Sequence, residues 1–407
     1  MAVASVNEST HAIVYLVDPT GMAIYQAELP QGFFIYDMRV NGSTVYFCGS
    51  HSGLGCIGLF KYSDLITNPH LDFTHYDINP AVSSYTCLHR MVAYTENMHE
   101  KVVAVGECDY MSHLNNPPQC PDCSNPGDTV PCMSRLIVEA DITLDLIKYT
   151  SSDYFDPSYS IDEVVVTDNF VALIGMWVKN NSISIHRCDR FDVLNSFCAY
   201  WYLYPVTTNE GASKIRGCRT ENDEIVIASL TPDITVGSAP VPMASIVREF
   251  DLATMDNISS QMVMTNIKDE PKELLYVPSL QSIILLQNIF YPSTVSSKYS
   301  FVSLKRNPLT NYVADSWIDI NTNYYKSLDL ASGSQFVASG KDHCCLKDAT
   351  MFDHNNMCYK IENVPISVID NAPKNQIKLP PNFYQYTGSP QPEQADITTI
   401  ALNIICY

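Results

Sequence analysis

The chain alternates short apolar and aromatic runs with turn-forming residues, and the clearest hairpin lies near its N-terminus. Residues 33–40 (FFIYDMRV) and 43–49 (STVYFCG) flank the dipeptide Asn41-Gly42. An Asn-Gly pair between two runs rich in β-branched and aromatic residues predicts a tight β-hairpin, because both turn positions need a positive φ. Residues 56–62 predict a third strand and residues 73–78 a fourth. We therefore expect a four-stranded antiparallel unit here.

Similar strand patterns recur along the chain. Their starts lie near positions 35, 88, 161, 215, 272 and 326, which gives separations of 53, 73, 54, 57 and 54 residues. The one long interval contains an insertion at residues 110–133, which is rich in cysteine. Four antiparallel strands repeated with this period are typical of the blades of a β-propeller.

The two ends of the chain are expected to complete one more blade. Residues 12–17 and 23–29 predict two strands, and residues 382–386 and 396–406 predict two more. Pairing the two ends in one sheet would close the ring without exposing a sheet edge. The sequence thus predicts an all-β fold, a single seven-bladed propeller domain over residues 1–407. Six blades, or two β-sandwich domains, are the alternatives.

Residues 37–49 (DMRVNGSTVYFCG) resemble a segment of uncharacterised secreted propellers of gut Bacteroidetes. The resemblance covers mainly the first repeat, and it implies the fold without implying an activity. The chain has neither the Trp-Asp ending of WD40 repeats nor the paired glycines of kelch repeats, so the signatures of those two propeller families are absent.

Charge and hydropathy restrict the partners. The chain carries 24 Lys and Arg against 44 Asp and Glu, which gives a net charge of −20. A surface this acidic repels phosphate backbones and anionic lipids, so we expect no binding to nucleic acid. No segment approaches the roughly 18 uninterrupted apolar residues of a membrane span, so we expect no membrane insertion. We also expect a monomer.

The 14 cysteines are too many for a reduced cytosolic chain that holds no metal. Short disulfide staples are predicted for Cys48 with Cys56, Cys188 with Cys198, and Cys344 or Cys345 with Cys358. Two more bridges are predicted to pin the insertion 110–133, through Cys108, Cys120, Cys123 and Cys132. Zinc bound by these last four thiolates is the alternative. We expect an extracellular or cell-surface location and, because residues 1–7 show no signal peptide, a mature chain with an added Met.

Motifs for cofactors and metals are weak. Residues 53–58 (GLGCIG) fit G-x-G-x-x-G, but a strand and not a helix is predicted to follow, so we interpret them as a loop. The chain contains no nucleophile elbow, no H-E-x-x-H and no acidic calcium loop. His51, His89 and His113 could approach one another on a loop face, although isolated histidines are usually ordinary hydrogen-bonded residues. We expect no cofactor and no metal site.

The long loops predict where a ligand binds. By strand parity, residues 110–133, 231–242, 291–298 and 341–356 share one face with the connections between repeats, and elaborated loops on a rigid scaffold commonly bind ligands. The first strand of each repeat begins at that face and carries charge, so these residues are expected to line a solvated channel mouth and contact the ligand: Asp37, Arg39, His89, Arg90, Glu163, Arg216 and Lys326.

The function predicted from these features is a binding or adhesion module that recognises a glycan or a protein. One alternative is a carbohydrate-active hydrolase or lyase that uses Asp37 and Glu163, since glycosidases need two convergent carboxylates. The other alternative is a structural surface protein without a ligand pocket.

Overall fold

The computed structural model describes residues 2–17, 23–78, 85–109, 133–151, 161–177, 182–190, 193–194, 197–203, 213–230, 234–236, 239–241, 245–254, 256–264, 268–290, 297–307, 311–320, 360–363, 376–378, 384–385 and 389–399. Over these residues the fold is all-β, as the sequence predicts. A one-turn helix, α1 (Asp64–Thr67), and a 3₁₀ turn (Pro278–Leu280) are the helical segments of the described part. No helix there is long and apolar enough to cross a membrane.

The chain divides into two compact units. Unit 1 comprises residues 1–157, 327–339 and 380–407, and unit 2 comprises residues 158–326 and 340–379. The single domain expected over residues 1–407 stays a prediction, and each unit is described by itself.

Unit 1 contains an eight-stranded sheet in the order β1-β2-β3-β29-β7-β6-β5-β4 and a five-stranded sheet in the order β28-β11-β10-β9-β8. The strands of the first sheet are β1 (Ala2–Asn7), β2 (Ala12–Val17), β3 (Ala23–Glu28), β4 (Phe33–Asn41), β5 (Thr44–His51), β6 (Leu54–Lys61), β7 (His70–Ile78) and β29 (Gln391–Thr399). The strands of the second are β8 (Thr86–Glu96), β9 (His99–Asp109), β10 (Met133–Asp141), β11 (Leu146–Ser151) and β28 (Tyr384–Gln385).

Unit 2 contains sheets in the orders β12-β13-β14-β15-β27, β16-β17-β20-β21-β26 and β22-β23-β24-β25, together with a ribbon, β18-β19. The first sheet comprises β12 (Glu163–Val166), β13 (Phe170–Trp177), β14 (Ser182–Asp189), β15 (Phe197–Leu203) and β27 (Gln376–Lys378). The second comprises β16 (Ser213–Arg219), β17 (Glu224–Leu230), β20 (Ser245–Asp251), β21 (Asp256–Met264) and β26 (Lys360–Asn363), and the ribbon comprises β18 (Ile234–Val236) and β19 (Ala239–Val241). The third comprises β22 (Lys268–Val277), β23 (Ser282–Phe290), β24 (Ser297–Asn307) and β25 (Asn311–Ile320).

Five of the predicted four-stranded units are present, those that start near 35, 88, 161, 215 and 272. In each of them the four strands follow one another in sequence order, so the first strand lies at one edge. The first strands also pack against one another: β4 against β8 in unit 1, and β12 against β16 and β16 against β22 in unit 2. The start predicted near 326 lies outside the described residues.

The C-terminal part of the chain adds an outer strand to four of the five four-stranded units. β26 pairs with β21, β27 with β15, β28 with β11, and β29 with β7, so the chain visits the sheets in reverse order. Each added strand covers an edge that would otherwise expose unpaired backbone groups. β29 also pairs with β3, so the two ends of the chain do share a sheet. The predicted C-terminal half-blade is nevertheless wrong, because Tyr384–Gln385 belongs to the second sheet of unit 1.

A β-bulge interrupts the first strand in four of the five four-stranded units. The register shifts between Ile35 and Asp37, Leu88 and Arg90, Ser213 and Arg216, and Pro271 and Glu273. In unit 1 a glycine lies opposite each bulge, and a Cβ on Gly49 or Gly106 would lie 1.8 Å from a backbone carbonyl oxygen of the first strand. The bulged backbone therefore lies so close to the second strand that only glycine fits opposite it.

The disulfide predicted between Cys48 and Cys56 is wrong. Both residues carry thiols. Cys48 lies opposite Ile57, whereas Cys56 lies opposite Gly49, so the two side chains point to opposite faces of the sheet. Cys48 packs in the core that the second sheet shares, and Cys56 packs in the core beneath β2 and β3.

The other cysteines have different outcomes. Cys108 is a thiol, contrary to its predicted pairing within the insertion. Cys188 is disulfide-bonded. Arg187 lies opposite Ala199, and continuing that register places Cys198 opposite Cys188, which keeps Cys198 as the expected partner. The remaining predicted half-cystines lie outside the described residues: Cys120, Cys123, Cys132, Cys344, Cys345 and Cys358.

Candidate functional site

The charged residue that follows the bulge in a first strand is buried or partly buried. The charges at this position and at its equivalent in β12 alternate along the chain: Asp37, Arg90, Glu163, Arg216 and Glu273. Asp37 is 1% exposed and Glu163 0%, and Arg90 is also buried. The expectation that these three residues line a solvated channel mouth is therefore wrong.

Asp37 shows how such a charge is held. Its Oδ1 accepts a hydrogen bond from the backbone N–H of Met38 at 3.0 Å, and its Oδ2 accepts one from the N–H of Met91 at 2.9 Å. Arg39 Nη2 lies 3.2 Å from Oδ2, and Arg90 Nη1 lies 3.8 Å from Oδ1. Arg39 Nε also donates to the Met91 carbonyl at 2.9 Å. This network joins β4 to β8.

Unit 2 repeats parts of this arrangement. Glu163 Oε1 accepts the N–H of Val164 at 3.1 Å, as Asp37 accepts that of the residue after it. Arg216 Nε donates to the carbonyl of Lys272 at 2.6 Å, a bond that joins β16 to β22. The bonds of Asp37 and Arg216 thus hold neighbouring first strands together, whereas that of Glu163 lies within β12. Lys326 lies outside the described residues.

The extra residue of each bulge in unit 1 points outward instead. These residues are Tyr36 in β4 and His89 in β8, and their rings meet edge to face with centroids 5.7 Å apart. Tyr36 is 42% exposed, and Tyr85, immediately before β8, is 39% exposed. Glu107 of β9 completes the group, with Oε1 3.4 Å from His89 Nε2. We call these four residues the Tyr-His cluster.

The buried thiol of Cys87 lies beneath the Tyr-His cluster, with its sulfur 3.7 Å from His89 Nδ1. Burial alone would lower the pKa of His89, but its contacts with Cys87 and Glu107 raise the pKa to about 10. The same contact with His89 lowers the pKa of Glu107 against the effect of burial. Burial raises the pKa of both tyrosines, so at neutral pH both hydroxyls keep their protons as hydrogen-bond donors.

The raised pKa of His89 predicts a pH-dependent contribution to stability. An unfolded imidazole titrates near pH ~6.5, so the contribution of the protonated ring is complete below about pH 6.5 and is lost as the pH rises toward about 10. We expect the difference in free energy of unfolding between the chain and the His89→Gln variant to shrink over this range, as measured by urea denaturation. A difference that is constant over the whole range would contradict the assignment.

A second group of polar side chains lies on β5 and β7 of the first sheet. His75 and Asp77 are two residues apart on β7 and therefore share a face, and His51 ends β5. His51 Nδ1 lies 3.0 Å from Asp77 Oδ2, and His75 Nε2 lies 3.6 Å from the same oxygen. One ligand atom from each residue can be chosen so that all three lie within 4.8 Å of one another. We call this group the His-Asp cluster.

Aromatic rings fix the two imidazoles of the His-Asp cluster. Phe33 stacks on His51, with centroids 4.0 Å apart and an interplanar angle of 7°, and meets His75 edge-on at 4.9 Å. His75 is fully buried, and neither ring nitrogen has a hydrogen-bond partner among the described residues. Burial would raise the pKa of Asp77, but the two histidines that face its carboxylate lower it.

The sequence contained only part of the signal for these groups. His51 and His89 belong to separate clusters, and His113 lies outside the described residues, so the three histidines do not form the group that was considered. The alternation His75-Tyr76-Asp77 on a predicted strand was a usable signal for two ligands on one face. The bulges that expose Tyr36 and His89 had a different signal, a glycine in the facing strand.

Comparison with known proteins adds no family to this description. No family model matches the sequence, and no curated protein matches it.

Proposed function

We propose that this protein is an extracellular β-propeller that binds a carbohydrate at the Tyr-His cluster. The order of strands in each unit, the packing of first strand on first strand and the repeated bulge support the propeller. Seven blades, with six as the alternative, stay a prediction, and the loss of the C-terminal half-blade removes one argument for seven. The extracellular location rests on the cysteine count and the disulfide at Cys188.

The observation that carries the binding proposal is the outward aim of the two bulged residues. Bulges commonly re-aim side chains next to functional sites. The side chains of Tyr36 and His89 point away from their sheets at neighbouring positions, and Tyr85 and Glu107 lie beside them. Each of the four side chains is about two-fifths exposed. The aromatic rings can pack against the C–H face of a sugar ring. The cationic imidazole and the carboxylate beside them can form hydrogen bonds with its hydroxyl groups, so the cluster suits a neutral, hydroxyl-rich ligand.

We expect a glycan array followed by calorimetry with the best oligosaccharide to show binding that depends on these side chains. Tyr36→Ala and His89→Ala should each weaken the affinity about 5- to 150-fold, since a hydrogen bond to a charged group or an aromatic contact is worth roughly 1–3 kcal/mol. Tyr62→Ala is the matched control, because Tyr62 is similarly exposed, at 37%, and lies outside the cluster. Unchanged affinity in the two cluster variants would contradict the proposal.

The same samples test the hydrolase and lyase alternative. Asp37 is engaged by two backbone N–H groups and two arginines, which leaves Glu107 as the exposed carboxylate of the cluster. Hydrolysis of a glycosidic bond ordinarily needs two carboxylates on opposite sides of the bond. We therefore expect mass spectrometry to find the bound oligosaccharide intact. Turnover that is lost in Glu107→Gln would favour the enzyme.

A further inference from the structure

We propose that His51, His75 and Asp77 bind a divalent transition-metal cation. This site shares no residue with the Tyr-His cluster and does not rest on carbohydrate binding. Two imidazoles and one carboxylate form a recurrent ligand set for zinc and for non-haem iron, in which one or more coordination positions stay open for water or a ligand.

The distances within the cluster fit such an ion. Bonds of about 2.0–2.1 Å in tetrahedral geometry place the ligand atoms about 3.3 Å apart. The two distances to Asp77 Oδ2, 3.0 Å from His51 Nδ1 and 3.6 Å from His75 Nε2, lie on either side of that value. The ligand atoms of His51 and His75 lie within 4.8 Å of each other.

The burial of His75 is the second, independent observation. A buried polar group without a partner costs free energy, and proteins rarely keep one without a role. His75 is 0% exposed, its Nε2 faces Asp77, and its two nitrogens lack hydrogen-bond partners within the described part of the chain. A cation between His75 and Asp77 would supply a partner for Nε2, the nitrogen that faces the carboxylate.

The surroundings prepare the site and leave it accessible. Phe33 contacts both imidazoles, which limits the rotation of each ring before an ion arrives. The side chains of His51 and Asp77 are 22% and 13% exposed, so solvent reaches the cluster from that side. Imidazole nitrogen selects zinc, copper, nickel or iron over calcium and magnesium, which prefer oxygen ligands only.

The test is titration of the full chain with Co²⁺, read by its visible absorption, and with Zn²⁺, read by calorimetry, after treatment with a chelator. His75→Phe should weaken Co²⁺ binding at the site at least a hundredfold, and phenylalanine suits the aromatic surroundings of that position. His99→Phe is the matched control. His99 Nδ1 lies 2.9 Å from Asp141 Oδ2 in the same unit, so it forms a similar His-Asp pair outside the cluster.

Metal bound elsewhere, for example at Cys120 and Cys123, contributes equally to both variants, so their difference isolates the His-Asp cluster. Asp77→Asn gives a second test of similar size and shape in case His75→Phe does not fold, as judged by circular dichroism, and it should also weaken binding at least tenfold. The proposal is overturned if the chain binds neither ion, or if a folded His75→Phe or Asp77→Asn variant binds like His99→Phe.

Discussion

Replacing Asp37 by alanine is expected to destabilise unit 1 by about 3–5 kcal/mol, because the change removes a buried carboxylate that faces a buried arginine. Arg90 is 6% exposed and lies 3.8 Å from the Asp37 carboxylate. The N–H groups of Met38 and Met91 would also lose their acceptors. Urea denaturation followed by circular dichroism measures the loss. The sequence predicts a solvated Asp37 and hence almost no effect, so the experiment separates the two interpretations.

Two further variants make the result specific. Asp72→Ala removes an exposed carboxylate on β7 of the same unit, which accepts a hydrogen bond from Gln394, and should change stability by less than about 0.5 kcal/mol. Asp37→Asn keeps the shape and one acceptor but removes the charge, so its effect should fall between the other two. If Asp37→Ala were as stable as Asp72→Ala, the network between β4 and β8 would not hold the strands together.

Local pattern was sufficient to predict most strands of the four-stranded units. The alternation of apolar residues and the turn signals place the hairpin of β4 and β5 correctly, although its two-residue loop is Gly42-Ser43, one position later than expected. Gly42 has a φ of +60°, which explains why glycine is needed there. Such signals lie within a few residues of one another, so one sequence is enough to detect them.

Pairing between distant segments could not be predicted in the same way. The strands β26, β27 and β28 have only two to four residues, and these three and β29 acquire their places from the exposed edges of earlier strands, a feature that has no local signal. The charged first-strand residues were identified correctly as a repeated feature, but the pattern does not tell an outward position from an inward one after a bulge. A slip of one residue reverses every side chain that follows.

The Tyr-His cluster could not be predicted from the sequence for the same reason. In a regular strand Tyr36 and Asp37 point to opposite faces, and nothing in the sequence states which of the two faces is buried. Gly49 and Gly106 were the available signal. Each follows an apolar run, VYFC before Gly49 and VVAV before Gly106, and glycine in a strand often marks a bulge or a close backbone approach.

Those glycines give the second large effect. Gly49→Ala and Gly106→Ala should each destabilise the protein by about 3 kcal/mol or more, at the upper end of the cost of overpacking, because the clash involves backbone. The new methyl would lie 1.8 Å from the carbonyl oxygen of Phe34 in one case and of Cys87 in the other. A backbone carbonyl cannot rotate away as a side chain can, so the bulge itself has to move. Urea denaturation measures the loss.

Gly53→Ala is the matched control for both variants. Gly53 lies in the turn between β5 and β6 with a φ of +84°, and a Cβ there meets no atom within 4 Å. Its substitution should therefore cost only the strain of a positive φ, about 1 kcal/mol. A displaced bulge would also change the direction of Tyr36 or His89. Under conditions in which both variants are folded, Gly49→Ala and Gly106→Ala should therefore weaken carbohydrate binding at least tenfold. Gly53→Ala should leave carbohydrate binding unchanged. Full affinity in the two bulge variants would show that the bulges do not position the Tyr-His cluster.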